Sequence, residues 1–230
     1  MKKVFTAFFL LAAVSMFAAP QVTVIGKIKH SFSSNGLKVN AFHFKNELTA
    51  EQTAALIKSI QQSKLVVLAE TQQVNEIVFS NSQIKNALTE FFKNGGTFYL
   101  WVPSWSWMNN PSKRMYGYFN YYKIYLPLGY KGFGKGKTVE AAVSKSAPEW
   151  VTSPGADFKF ITAGANNRPL RGEWQILAAA PDGSAVVLMH EKVHGNGRVI
   201  VSYVPMLFDK KAAPFIDNLV KYAYGDLLKK

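Results

Sequence analysis

The sequence predicts an α/β domain: a mostly parallel central sheet with helices on both faces, followed by a late antiparallel meander. Three observations predict it. Apolar runs at 64–70 and 97–102 have the character of strands covered on both faces. Each follows a segment of helical periodicity through a short link, the alternation that builds parallel βαβ units with right-handed crossovers. After position 157 the helical period is lost until the last helix, and short strand candidates are separated by tight-turn signals.

The elements follow in order. A first strand is expected at 21–25, then a basic, turn-rich stretch, then a second strand at 36–44. In that strand Leu37, Val39, Ala41 and His43 would share one face, with Lys38, Asn40, Phe42 and Phe44 on the other. Thr49-Ala-Glu-Gln52 has the form of a capping box, with Leu48 in the staple position. It opens a helix to about Gln62, whose Leu56 and Ile60 lie on one stripe, and the strand at 64–70 follows at once. Ile84, Ala87, Leu88 and Phe91 recur at helical spacing, so 82–94 is a helix. Gly95 and Gly96 stop it, Gly95 as a left-handed cap, and 97–102 is the next buried strand. Past Pro103 the periodicity fails until about 137. Strands return at 157–162, 174–179, 185–193 and 198–204, with Pro181-Asp-Gly-Ser184 and His194-Gly-Asn-Gly197 as the turns between the last three. Pro214 in a first turn, with Ile216, Leu219, Val220 and Ala223 in phase, predicts a closing helix that ends near Gly225.

Residues 1–19 form an expected export signal: Lys2 and Lys3, an uncharged apolar run at 4–17, then Ala18, Ala19 and Pro20. That run as a helix spans only about 21 Å, short of the roughly 30 Å bilayer core, so cleavage is expected rather than anchoring. The remainder, 20–230, is the size of one domain. Export places it in the periplasm or outside the cell. The chain has no cysteine, which excludes a disulfide framework, a thiol nucleophile and a Cys-held zinc. Its formal net charge is +13, two units of which leave with the signal's lysines. A basic exported domain meets polyanions such as acidic glycans; nucleic acid is not an expected partner behind an export signal, and no cofactor is implied.

The 65–69 strand, Leu88-Thr-Glu-Phe-Phe-Lys-Asn-Gly-Gly-Thr97, and the late segment Trp174-Gln-Ile-Leu-Ala, Gly183 and Gly195-Asn-Gly-Arg-Val-Ile-Val201 together carry a resemblance. The chain resembles the class I glutamine amidotransferase-like superfamily, and within it the non-amidotransferase branches, trehalose-utilisation-type and β-galactosidase middle-domain-like, over about 36–228. The resemblance implies a helix ending in Gly-Gly that feeds a central strand, and a Gly-x-Gly-Arg-Val hairpin before a final strand. Amidotransferases of this superfamily carry a nucleophilic Cys just after the strand that here is 97–102. This chain has Pro103, Ser104 and Trp105 there, so amidotransferase activity is not implied. A Ser104 nucleophile would need a base and an oxyanion hole, and His190 and His194 lack the family's His-x-Glu pattern.

His190-Glu-Lys-Val-His194 matches H-E-x-x-H, which binds zinc when a helix puts both imidazoles on one face. The preceding Ala185-Val-Val-Leu-Met189 and following Gly195-Asn-Gly197 favour instead a strand ending in a hairpin. There residues 190 and 194 would lie roughly 13 Å apart. Gly132-Phe-Gly-Lys-Gly-Lys-Thr138 misses the phosphate-loop pattern because its first glycine position is Lys131.

The segment at about 103–137 is the candidate site. No acidic residue occurs from 92 to 138, while Lys113, Arg114, Lys123 and Lys131 are interleaved with Trp105, Trp107, Tyr116 and Tyr118. Aromatic faces ringed by cations suit sugar rings and anionic ligands. The segment leaves the carboxyl end of a parallel strand, where open α/β sheets bind ligands. The same aromatics could instead form a secondary core over one end of the sheet. The expected binding residues are Glu70, Ser104, Trp105, Trp107, Arg114, Tyr116 and Tyr118. The expectation is an exported, non-catalytic binding domain for a carbohydrate or anionic glycan. Its rivals are an exported hydrolase, zinc-dependent through His190, Glu191 and His194 or acid/base through Glu70, and a structural subunit of an envelope assembly.

Overall fold

Eleven strands and three α-helices of twelve or more residues, with shorter helical turns between them, follow one another along the residues described by the computed structural model: 19–44, 47–69, 77–102, 129–152, 160–207, 210 and 213–228. The strands are β1 (Gln21–Gly26), β2 (Lys38–Phe42), β3 (Ser63–Ala69), β4 (Thr97–Trp101), β5 (Lys131–Gly132), β6 (Val139–Val143), β7 (Phe160–Thr162), β8 (Gly164–Ala165), β9 (Trp174–Ala179), β10 (Ala185–Val193) and β11 (Gly197–Ser202). The helices are α1 (Ala50–Gln62), α2 (Ser82–Lys93) and α3 (Ala213–Tyr224). Nine strands form one mixed sheet in the order β2-β1-β3-β4-β11-β10-β9-β6-β7, while β5 and β8 pair separately. The β2-β1-β3-β4-β11 half is parallel, and β11-β10-β9-β6-β7 is antiparallel. The expected fold class is therefore the observed one. Of the export signal expected at 1–19, residues 1–18 lie outside the described residues. Among the described residues no helix is long and apolar enough to cross a membrane.

Alternation along the central strands divides the core in two. Val66 and Leu68 of β3, Phe98 and Leu100 of β4 and Val199 and Val201 of β11 pack with Leu56, Ile60, Ile84, Leu88 and Phe92 of α1 and α2. Leu65, Val67, Tyr99 and Ile200 point the other way, toward Phe215, Ile216, Leu219 and Val220 of α3. Both faces of β3 and β4 are thus buried, which is why those strands read as unbroken apolar runs. β2 is shorter than the 36–44 expectation and lies at the sheet edge, with Val39 exposed. Only Leu37 and Phe44, just outside the strand, are buried, so alternation within it is weak.

Local signals are realised as bonds. The Thr49 hydroxyl accepts from Gln52 N at 3.1 Å, and the Gln52 side chain accepts from Thr49 N at 3.0 Å, completing the capping box of α1. Asn81 caps α2 by accepting from Gln83 N and Ile84 N at 3.0 and 3.1 Å. The two glycine motifs of the resemblance meet in space at the opposite end of α2. Arg198 N donates to Gly96 O at 3.0 Å, and Asn196 Nδ2 donates to Lys93 O at 3.2 Å, so the β10–β11 hairpin satisfies carbonyls at the end of α2 and just beyond it. Gly197 permits this contact: a Cβ there would stand 2.7 Å from Phe92 Cα. These motifs therefore hold the amino-terminal ends of β4 and β11 against a helix, and they lie opposite the carboxyl edge where ligands are expected.

Candidate functional site

Glu70, Ser104, Trp105, Trp107, Arg114, Tyr116 and Tyr118 all fall on 70–76 or 103–128, outside the described residues. The described residues show what brackets that aromatic segment. The chain leaves at Val102, whose N–H donates to Ser202 O at 2.8 Å at the carboxyl end of β11. It returns at Gly129, whose carbonyl accepts from the buried Tyr203 hydroxyl at 2.6 Å. Gly129 N donates to Asn166 Oδ1 at 3.1 Å; that oxygen also accepts from Arg168 N at 3.2 Å, and Asn166 Nδ2 donates to Arg168 O at 2.7 Å. Asn166 is buried, and both its amide oxygen and its amide nitrogen bond along this seam. Tyr130 then lies over Gly164, where a Cβ would meet its ring at 2.3 Å, and 6.1 Å from the Tyr203 ring. Burial pushes the Tyr130 phenol pKa up. Both ends of the segment are thus pinned at the carboxyl edge of the parallel strands.

A second feature occupies the same edge on the α3 side. In the sheet β1 and β11 are separated by β3 and β4, yet the chain beyond each meets: Lys29 N and His30 N both donate to Leu207 O at 2.9 Å. Between this arch and α3 lies a cavity of about 400 Å³. Its floor is Met206 and Leu207, and its polar walls are Lys29, His30, Ser31, Ser34, Lys210 and Asp217. His30 Nε2 is 3.4 Å from Asn35 Oδ1, and Asn35 Nδ2 donates to Asp217 Oδ1 at 2.8 Å. The same imidazole nitrogen stands 3.9 Å from Asp217 Oδ1, and the ring lies edge-on to buried Phe32 at 4.7 Å. Desolvation lowers the His30 pKa, outweighing the opposing pull of Asn35 and Asp217. The imidazole is therefore held neutral near pH 7. The sequence marked this stretch only as basic and turn-rich. Its place just beyond the first parallel strand was the available signal.

The His190–His194 segment lies at the other end. It is the last part of β10 and a hairpin, as its context predicts. His190 pairs with Val199 and Trp174 in the ladder, its Nδ1 is 2.6 Å from Glu191 O, and its ring meets Trp174 edge-on at 5.2 Å. The Tyr222 hydroxyl donates to Glu191 Oε1 at 2.9 Å, and burial, with the Glu191 bond adding, pushes that phenol up to about 12. Lys192 and His194 have φ of 59° and 50°, which fit a bulged turn and no helix. Among the described residues no group of three His, Asp or Glu is placed to hold a metal. The 131–138 stretch forms β5 and a turn, and Lys131 pairs with Asp182, which together with Ser184 N draws that carboxyl down to about 2.

The fold defines a three-layer α/β protein with its open edge at the carboxyl ends of β1, β3, β4 and β11. Over 88% of its length it is similar to a cytoplasmic protein of Salmonella typhimurium, 98% of which is covered, with a TM-score of 0.59 at 12% identity, a likeness of fold alone. A glutamine amidotransferase from Thermotoga maritima is similar over 92% of this chain and 85% of its own, at 10% identity and a TM-score of 0.44. A β-galactosidase from Halorubrum lacusprofundi is similar over 90% of this chain but 30% of its own, at 12% and 0.46. Amidotransferase-like folds are thus among its structural neighbours, at scores that leave its branch undefined. No family model and no curated protein sequence matches the chain.

Proposed function

We propose that this chain is an exported, non-catalytic binding domain of the amidotransferase-like kind. Within that kind it belongs with the trehalose-utilisation-type or β-galactosidase middle-domain-like branches, and its ligand is a carbohydrate or anionic glycan. One observation carries the proposal most directly. The segment richest in aromatics and free of acids is bracketed by Val102 and Gly129, both bonded at the carboxyl edge of the parallel strands. That edge is where α/β sheets of this type take ligands. The absence of cysteine supports binding over thiol chemistry. Sugar rings stack on aromatic faces, and the surrounding lysines favour acidic sugars.

A glycan array probed with the secreted form of the chain tests this. The expected result is a set of acidic or neutral glycans retained by wild type and lost in Trp105→Ala combined with Trp107→Ala. Unchanged retention by the double variant makes those rings core and removes the proposal.

A further inference from the structure

The cavity under the Lys29–Leu207 arch uses none of the residues of the aromatic segment, so what it binds is a separate question from the glycan proposal. Its volume of about 400 Å³ is within the range of pockets that enclose small ligands. Its composition is specific. Lys29 from the arch and Lys210 from before α3, both exposed, give its lining two cationic residues. Asp217 from α3 is the one carboxylate in the lining, and it is already engaged by Asn35 Nδ2. The lining is therefore net positive with His30 neutral, and it gains a further charge when His30 is protonated. Ser31 adds a hydroxyl, while the Ser34 hydroxyl is committed to Ser31 O at 2.6 Å.

We propose that this cavity binds a small oxyanion, free or carried on a sugar-sized body, gripped by Lys29 and Lys210 and matched by proton uptake at His30. The geometry provides the coupling. His30 sits in the wall that Lys29 and Lys210 also line, with its side chain only 6% exposed and its Nε2 3.9 Å from Asp217 Oδ1. Without a ligand, burial disfavours the imidazolium. An oxyanion in the cavity adds a negative charge beside the ring, which can then take a proton while Asn35 and Asp217 hold it in place. The low imidazole pKa of the empty site is consistent with this and leaves room for the shift. Binding is then proton-linked, tightening as the pH falls.

Calorimetric titration of the secreted form with sodium sulfate, sodium glucuronate and neutral glucose tests the site, because neither anion changes its own charge between about pH 5.5 and about pH 8. The expected result is binding of at least one anion and not glucose, roughly tenfold tighter at the lower pH, with heats that depend on the buffer because a proton is taken up. Sulfate alone points to a free inorganic anion, and glucuronate to an acidic sugar. Lys29→Ala with Lys210→Ala weakens binding at least about tenfold, and both side chains are exposed, so the fold is not at risk. His30→Gln keeps binding and flattens its pH dependence. The proposal is overturned if neither anion binds at either pH, if the double lysine variant binds as wild type, or if His30→Gln keeps the full pH response. The Trp105 and Trp107 variants are predicted to bind the small anions normally, so this site and the glycan reading fail separately.

Discussion

His30 shows how one residue can set a pH response. Its pKa is lowered in the folded chain, chiefly by burial, whereas the unfolded chain titrates near about 6.5. As pH falls below that value the unfolded state takes up a proton that the folded state resists. The His30 contribution to stability is therefore complete above about pH 6.5 and is lost progressively toward the lower folded pKa. In buffers free of oxyanions, His30→Gln should melt with a shallower acid slope than wild type between about pH 7.5 and about pH 5.5. Parallel slopes in thermal scans would assign the acid sensitivity to other groups. Gly197 is a second single-residue determinant. A methyl there would stand 2.6 Å from Phe92 Cβ and 2.7 Å from its Cα, and backbone cannot swing aside as a side-chain tip can. Gly197→Ala should cost about 1–3 kcal/mol in chemical denaturation, with binding at the carboxyl edge unchanged because the hairpin lies at the other end of the sheet.

At the scale of elements, legibility tracked how local the physics is. α1 and its capping box, α2 and its periodic stripe, β9 and β10 were readable because each depends on neighbours a few residues away. β2 was read too long because an exposed edge strand buries little and so carries a weak pattern. The His30, Asn35 and Asp217 cluster was not readable at all. Asn35 and Asp217 are separated by 182 positions and join only when α3 packs beneath the β1 exit. The His190–His194 segment shows the converse, a motif legible as spelling whose element forbids its usual chemistry. On a bulged strand the His190 ring lies against Trp174 with its Nδ1 beside Glu191 O, so chelator should leave the melting temperature unchanged. A fall on chelation, restored by zinc, would favour the rival metal-dependent hydrolase.

For the whole molecule, the two ends of the sheet have divided labour. The amino-terminal ends of β4 and β11 are locked to α2 by the Gly95-Gly96 and Gly195-Asn-Gly197 turns, and the start of β3 is tied to α3 through Leu65 N and the Tyr224 hydroxyl at 3.3 Å. The carboxyl ends release the long aromatic segment, recapture it through Tyr203 and Asn166, and open the cavity beside α3. A scaffold rigid at one end and elaborated at the other is suited to holding a ligand without remodelling its core. The chain has no cysteine, and this edge carries Lys29, Lys210 and the buried imidazole of His30.

Hydrogen–deuterium exchange of the chain, with and without a saturating glycan taken from the array, tests that division most directly. The account predicts slowed exchange on ligand addition at Val102, Gly129, Tyr130 and Tyr203, with no change at Glu191, Lys192 or Asn196. Protection confined to the 190–197 hairpin, or none at the carboxyl edge under saturation, would contradict it.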